Sequence, residues 1–251
     1  MDSRRVLITG GTRGIGLAVA REMLILGAEV ALIARDQTQL ERTVSELAGE
    51  FPDTAVHGLG MDLSYPEELG RIPAWLTGFW DGLDVLINNI GTNIHKASVD
   101  FELSEYYRLL DTNLTGCFEL TRLCHALLKT SEHASVVSVA SVAGLTHLRT
   151  GAPYAMSKAA IIQLTRNLAC EWAADGIRVN CVAPWYIDTP LVQPVLGDPQ
   201  YLKDILDRTP MGRVGTATEA AAAITFLAMP AASYITGQCL AVDGGFTQFG
   251  F

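Results

Sequence analysis

The chain has 251 residues, a formal net charge of −9, and a composition that is 49% hydrophobic and 18% charged. A globular chain of this length buries roughly three-quarters of its unfolded surface, which excludes a disordered segment and removes the need for disulfide or metal staples. The acidic balance excludes a general nucleic-acid binder and docking on an anionic membrane, since both require a basic face, but it leaves room for a local basic pocket.

The opening run MDSRRVLITG enters a strand pattern directly, so no leader peptide is expected, and no apolar run reaches the length of a membrane span. Residues 4–9 read as the first strand and 15–26 as the first helix. Residues 29–34 (EVALIA) are a second strand and 37–50 a second helix. The unit repeats as a strand within 54–62 and a helix within 65–80, followed by the strand DVLINN at 84–89. One long helical region is expected over 104–129. A strand at 134–140, a helix over 151–173, a strand at 176–184, a helix at 218–228 and a final strand from 238 complete the chain. Seven strands alternating with six helices imply an α/β fold. The expectation is a single doubly wound Rossmann-type domain with a seven-stranded parallel sheet and helices on both faces, because parallel strands need helical crossovers. Residues 185–216, rich in proline, glycine and aromatics, are the least regular segment and read as a substrate lid.

Five scattered cysteines without a CxxC motif read as reduced thiols in a cytoplasmic protein. Cys117 and Cys124 could share a helix face, as packing residues or as a metal pair. The dispersed histidines offer no ligand spacing, so no metal is expected.

Between the first strand and first helix lies TGGTRGIG, in which Gly10, Gly14 and Gly16 let the backbone approach a pyrophosphate while the helix N-terminus supplies free N–H groups. Plain turn chemistry is the alternative. Second strands of NAD binders commonly end on an acid that holds the ribose hydroxyls. Here Ala34 stands at that position, with Arg35 next and Arg13 inside the glycine turn. Two guanidiniums suit a 2′-phosphate, so NADP(H) is the expected cofactor. Two solvated surface arginines are the other reading, and Asp36 beside Arg35 weighs slightly against the phosphate. At the ends of the third and fourth strands, Asp62 is placed for an adenine amino group, and Asn88 and Asn89 for the loop under the ribose. Each also suits turn capping.

The 151–173 helix begins with Tyr154 and Lys158, four residues apart and therefore on one face. TGxxxGIG at 9–16, NNxG at 88–91, Asn113 in DTNLTG, Ser141 in SVASVAG and YxxxK at 154–158 together resemble the short-chain dehydrogenase/reductases, over nearly the whole chain to VDGG at 242–245. IHKASVDF, LACEWA, TPMGR and GGFTQFGF narrow the resemblance to tropinone reductase-like members.

The resemblance implies an NADPH-dependent reductase that transfers hydride to a ketone. Its catalytic set is Asn113, Ser141, Tyr154 and Lys158. Tyr154 is the proton donor, Lys158 tunes it and bonds the nicotinamide ribose, Ser141 (with Ser138 as competitor) bonds the carbonyl oxygen, and Asn113 holds a water leading from Lys158. A cation about 6 Å from the phenol at an effective dielectric of about 20 lowers its pKa by about two units. The expected cofactor contacts are Gly10, Thr12, Arg13, Gly14, Ile15, Gly16, Arg35, Asp62, Leu63, Asn89, Gly91, Tyr154, Lys158, Pro184, Ile187 and Thr189. Two positions depart from the family pattern, Trp185 for the usual Gly after Pro184 and Ile90 for the usual Ala. Trp185 either walls the substrate pocket or packs under the lid.

Substrate contacts are expected from His95 (or a solvated loop histidine), Ser141, Leu148, Tyr154, Trp185, Tyr186, Leu191 and Val192. That lining suits a small, mostly apolar, possibly cyclic ketone of the tropinone kind. The resemblance also implies a homodimer or homotetramer, with interfaces on the helices at 104–129 and 154–173 and near the C-terminus. The competing readings are an alcohol dehydrogenase working mainly in the oxidative direction, an NADP-binding sensor or scaffold without turnover, and a dehydratase or epimerase on the same fold.

Overall fold

The computed structural model describes residues 1–250. Strands β1 (Arg5–Thr9), β2 (Glu29–Ala34), β3 (Val56–Gly60), β4 (Val85–Asn88), β5 (Ser135–Val139), β6 (Arg178–Pro184) and β9 (Cys239–Val242) form one sheet in the order β3-β2-β1-β4-β5-β6-β9. All six pairings are parallel. Strand order reverses between β1 and β4, and crevices for ligands open at such switch points, outside the carboxyl ends of the strands.

Alternation along the strands sorts the core into two layers. Ile8, Val30 and Leu32 face α1 (Gly14–Ile25), α2 (Gln37–Glu50) and α9 (Ala217–Ala228). Leu7, Ala31 and Ile33 face α3 (Arg71–Leu76), α5 (Gly116–Leu128) and the far half of α6 (Ala152–Glu171). Strands β1, β2, β4 and β5 are almost wholly buried, while β3 at the sheet edge is half open.

The long helix expected over 104–129 is two helices. After α4 (Leu103–Leu110) the chain makes one π-helical turn, Asp111–Thr115, before α5 begins. The wider turn brings Asn113 wholly inside, and Gly116 follows it because a Cβ there would lie 2.4 Å from the Leu63 carbonyl oxygen. The irregular 185–216 segment contains two short helices, α7 (Gln193–Leu196) and α8 (Pro199–Asp207), and the two-residue strands β7 (Ile187–Asp188) and β8 (Gly215–Thr216), which pair with each other.

One polar cluster fastens the amino end of the sheet. The Asp84 carboxylate accepts from the Arg5 backbone N–H and Nε, both at 2.9 Å, and from the Ser131 hydroxyl at 2.5 Å. Burial pushes the Asp84 pKa up, but these donors together hold it below the usual carboxylate value. A carboxyl whose folded pKa is depressed adds stability above its unfolded pKa, and that stability is lost as pH falls through the folded value. Asp84→Asn is therefore expected to lower stability at pH 7 by about 2 kcal/mol and to flatten the loss of stability below about pH 4, as read by urea denaturation across pH.

Candidate functional site

The carboxyl ends of β1, β4, β5 and β6 converge on one edge of the sheet. The turn after β1 is held open for a ligand by glycine. Gly10 has φ +67°, and a Cβ on Gly16 would lie 2.3 Å from the Gly10 carbonyl oxygen, so the first turn of α1 approaches the strand end closely. Asn89 braces this turn from β4, donating from Nδ2 to the carbonyls of Thr9 at 3.0 Å and Gly10 at 3.1 Å. Thr12 and Ile15 flank the turn, and Thr189 lies over it, 3.2 Å from where a Gly14 Cβ would stand. The N–H groups at the start of α1 lie at this glycine turn, an arrangement that fits a pyrophosphate.

Of the two arginines, Arg13 is exposed as the N-cap of α1, and Arg35 is exposed with its guanidinium 3.8 Å from Asp62. Asp36 is occupied elsewhere, capping α2 by accepting from the Gln39 N–H. Asp62 accepts from the backbone and hydroxyl of Ser64, so it stabilises its own turn beside the buried Leu63. Asn88 departs from the sequence expectation. It points into the interior, where Nδ2 donates to Thr121 at 2.8 Å and Oδ1 has no partner beside a cavity of about 10 Å³. The backbone alternates sides at this point, so only Asn89 of the pair reaches the glycine turn.

Four further residues close the site from the other side of the switch point. Ser141 follows β5 at the start of a 3₁₀ turn and accepts from the Ala143 N–H at 3.1 Å. Ser138, the competing hydroxyl, faces the interior beside Asn88 and Cys117. Gly151 is the N-cap of α6, at a place where any side chain would strike the Phe101 ring, and Tyr154 follows on the first turn of the helix. Lys158, one turn on, is almost entirely buried and donates from Nζ to the Val139 carbonyl at 2.8 Å, with Nζ 5.8 Å from the Tyr154 ring centre. Asn113 accepts the Thr92 N–H at 2.8 Å and donates to the Thr92 carbonyl and the Ser157 hydroxyl. Gly91 lets these groups meet: a Cβ on it would lie 3.2 Å from Lys158 Nζ and 3.8 Å from Asn113 Oδ1.

The electrostatics reverse one expectation. Burial pushes the Tyr154 phenol above its ordinary pKa, and only the hydrogen bond with Ser141 pulls it back. Lys158 does not drag the phenol down as the four-residue spacing suggested. Burial instead pulls the amine itself down to about 8. The phenol is accordingly protonated at neutral pH, and Lys158 sits near its titration point.

Beyond these residues lies an open cavity of about 440 Å³. Leu148, Trp185 and Tyr186 line it as expected, together with Tyr201, Ile205 and Phe246. Trp185 is held on two sides. Its ring stacks on Phe246 at 3.8 Å and 7°, and its Nε1 donates to Thr209 at 3.0 Å, so it packs under α8 and walls the cavity as well. Tyr186 donates to the Tyr201 hydroxyl, which in turn donates to the Arg149 carbonyl, and Arg149 pairs with Asp204 at 2.7 Å. The cavity is more polar at its mouth than expected, with Arg149, Asp204, Asp207 and Arg208 all on its wall. Four expected residues lie off the lining: Ser141 and Tyr154 at the sheet edge, Leu191 exposed ahead of α7, and Val192 capping that helix. His95 is exposed and also off the lining, with Nε2 3.0 Å from the Asn93 amide, and the partial burial of its ring holds its pKa below the ordinary value. Pro184 ends β6, and Ile187 packs on Gly215. Among the described residues no group of three or more His, Cys, Asp or Glu is placed to hold a metal, and no helix is long and apolar enough to cross a membrane.

Comparison with known proteins agrees with this geometry. Residues 10–247 match the family model described as Enoyl-(Acyl carrier protein) reductase. A tropinone reductase homolog of Arabidopsis thaliana is 44% identical over 252 residues, covering 100% of this chain and 95% of its own. A chloroplastic tropinone reductase homolog of the same plant is 42% identical and covers 100% of this chain and 78% of its own. Among solved structures, levodione reductase superimposes with a TM-score of 0.93 at 29% identity, covering 99% of both chains. A gluconate 5-dehydrogenase of Burkholderia cenocepacia in complex with NADP and tartrate superimposes with a TM-score of 0.92 at 31% identity, over 100% of this chain and 97% of its own.

A lysine whose folded pKa is depressed works against stability below that pKa, and the penalty fades as pH rises from about 8 to the free value near 10.5. Lys158→Met is expected to stabilise the cofactor-free protein at pH 7 by about 1–2 kcal/mol, net of the lost bond to Val139, and to lose that advantage by about pH 10. Urea denaturation at the two pH values checks both halves.

Proposed function

The chain belongs to the short-chain dehydrogenase/reductase family and is an oxidoreductase, and on that premise we propose that it reduces the ketone group of a compact, mostly apolar substrate with NADPH. The observation that carries this reading is the protonated phenol of Tyr154 beside the Ser141 hydroxyl, close enough to be felt by Tyr186 on the wall of the cavity that Leu148, Trp185 and Phe246 also line. A phenol held above its ordinary pKa carries its proton at neutral pH, which is the form that ketone reduction requires of the donor.

The glycine turn fits the pyrophosphate, Arg13 and Arg35 the 2′-phosphate, and Lys158, Asn89, Pro184, Ile187 and Thr189 the nicotinamide half. When bound, the cofactor supplies hydride to the carbonyl carbon. The Ser141 hydroxyl donates a hydrogen bond to the substrate oxygen and holds it against the charge that develops there. The Tyr154 O–H gives that oxygen its proton. Lys158, one helical turn from Tyr154 and anchored on the Val139 carbonyl, passes a proton toward the phenolate left behind. Asn113, bonded to both backbone groups of Thr92 and to the Ser157 hydroxyl, fixes Thr92 beside Lys158 and holds the water that returns the proton.

The whole chain acts as one dinucleotide-binding and catalytic unit, with 185–216 as its lid. The aromatic wall suits a cyclic ketone, and a tropinone-like bicycle fits the stated volume. A homodimer or homotetramer is supported by Leu103, Tyr107 and Phe118, which leave apolar surface exposed on α4 and α5. A cytoplasmic setting is our reading, supported by the free cysteines.

Purified protein incubated with NADPH and a panel of cyclic and bicyclic ketones is expected to consume NADPH, read as loss of absorbance. Tyr154→Phe is expected to cut kcat by about 10²–10⁴ while leaving NADPH affinity in place. Turnover by that variant at the wild-type rate would remove Tyr154 from the mechanism. Arg13→Ala with Arg35→Asp is expected to weaken NADPH binding by about tenfold or more and to spare NADH, measured by fluorescence titration. Equal losses for the two cofactors would end the 2′-phosphate assignment.

A further inference from the structure

Cys181 and Cys239 are register partners on the neighbouring parallel strands β6 and β9. Register partners project from the same face, and neighbouring strands run about 4.8 Å apart. That separation lies inside the Cα range of roughly 4.4–6.8 Å over which a disulfide can close. Both side chains face α6, where Cys181 is buried with Ile161 and Ile162 and Cys239 packs against the same cluster. Cys239 is only partly buried, because β9 is the edge strand of the sheet. We propose that this pair is a peroxide-responsive site, in which Cys239 is the attacking thiol and Cys181 the resolving thiol of a reversible intrachain disulfide.

The chemistry divides the roles in the same way. The neighbouring Cys181 thiol holds Cys239 below its ordinary pKa against the effect of burial, with Arg166 adding to the pull. The Cys239 sulfur, with burial, holds Cys181 as a protonated thiol. The Cys239 thiolate attacks one oxygen of hydrogen peroxide. An S–O bond forms, the O–O bond breaks, and hydroxide leaves and takes up a proton as water. Sulfur has lost two electrons and peroxide has gained them. Cys181 then attacks the Cys239 sulfenic sulfur. The S–S bond forms, the S–OH bond breaks, and the departing hydroxide takes the Cys181 proton to give a second water. A dithiol reverses the bond by exchange.

The other three cysteines do not share this geometry. Cys117 and Cys124 are buried in helix α5, where burial holds both thiols above the ordinary value, and Cys170 is exposed on α6. The position also has a consequence for the pocket. Four residues beyond Cys181, the Trp185 N–H donates to the carbonyl of Val242, three residues beyond Cys239, at 3.2 Å, and Trp185 and Phe246 carry the cavity wall onward from β6 and β9.

The test treats the full chain with stoichiometric hydrogen peroxide, then denatures it, alkylates the free thiols and maps peptides by mass. The expected result is the loss of two alkylatable thiols per chain and a linked peptide holding Cys181 and Cys239, two hydrogens lighter than the sum of its parts and absent after dithiothreitol. Cys239→Ser is expected to leave Cys181 fully alkylatable with no linked peptide, while Cys170→Ser keeps the link. Five alkylatable thiols after treatment, a Cys239 driven to sulfinic acid beside a free Cys181, or a bridge through Cys170 would each overturn the proposal. Far-UV circular dichroism on each variant separates a missing link from a misfolded chain.

Discussion

The bond on which the site rests is the one from Lys158 Nζ to the Val139 carbonyl. It joins the first turns of α6 to the end of β5, and so fixes the distance between the helix that carries Tyr154 and the strand that delivers Ser141. Placing an ammonium where almost no water reaches is unfavourable, which is why its pKa falls to about 8. The surroundings are arranged around that cost. Gly91 gives the amine room, Asn113 stands on its far side, and no carboxylate is near enough to neutralise it. A site that stabilised this charge fully would hold the proton too firmly to pass it on.

The parallel sheet explains why groups from distant parts of the chain meet. Every strand points the same way, so each βα connection adds its polar residues to one edge, and the reversal of order between β1 and β4 opens that edge. The nucleotide half and the chemical half are built on opposite sides of the reversal. Asn89 and Thr189 cross it, the first bracing the glycine turn from β4 and the second covering it from the segment after β6.

What could be read from the sequence was whatever depends on local pattern. The apolar strands, the glycine turn opening α1, and Tyr154 above Lys158 all follow from spacing along one element. The π turn at Asp111–Thr115 escaped because it interrupts the helix ladder without disturbing the run of apolar residues on either side. Tyr201, Phe246 and the Arg149–Asp204 pair escaped for another reason. They reach the cavity only when α8 and the C-terminal turn fold back over β6, a closure that no periodicity records. The sign of the Tyr154 shift was missed because spacing reveals the neighbouring charge but not the loss of water, and here the loss of water dominates.

The π turn also limits how this helix can be altered. Its backbone is wound one residue wider than an α-helix, and Asn113 faces inward only because of that surplus residue. Deleting one position from 111–115 would leave a smoother, intrinsically better helix whose flanking faces keep their register while the inward bulge that carries Asn113 is gone. Efforts to make the protein hardier by idealising its helices would therefore select, at this one place, for a sturdier molecule without its polar anchor.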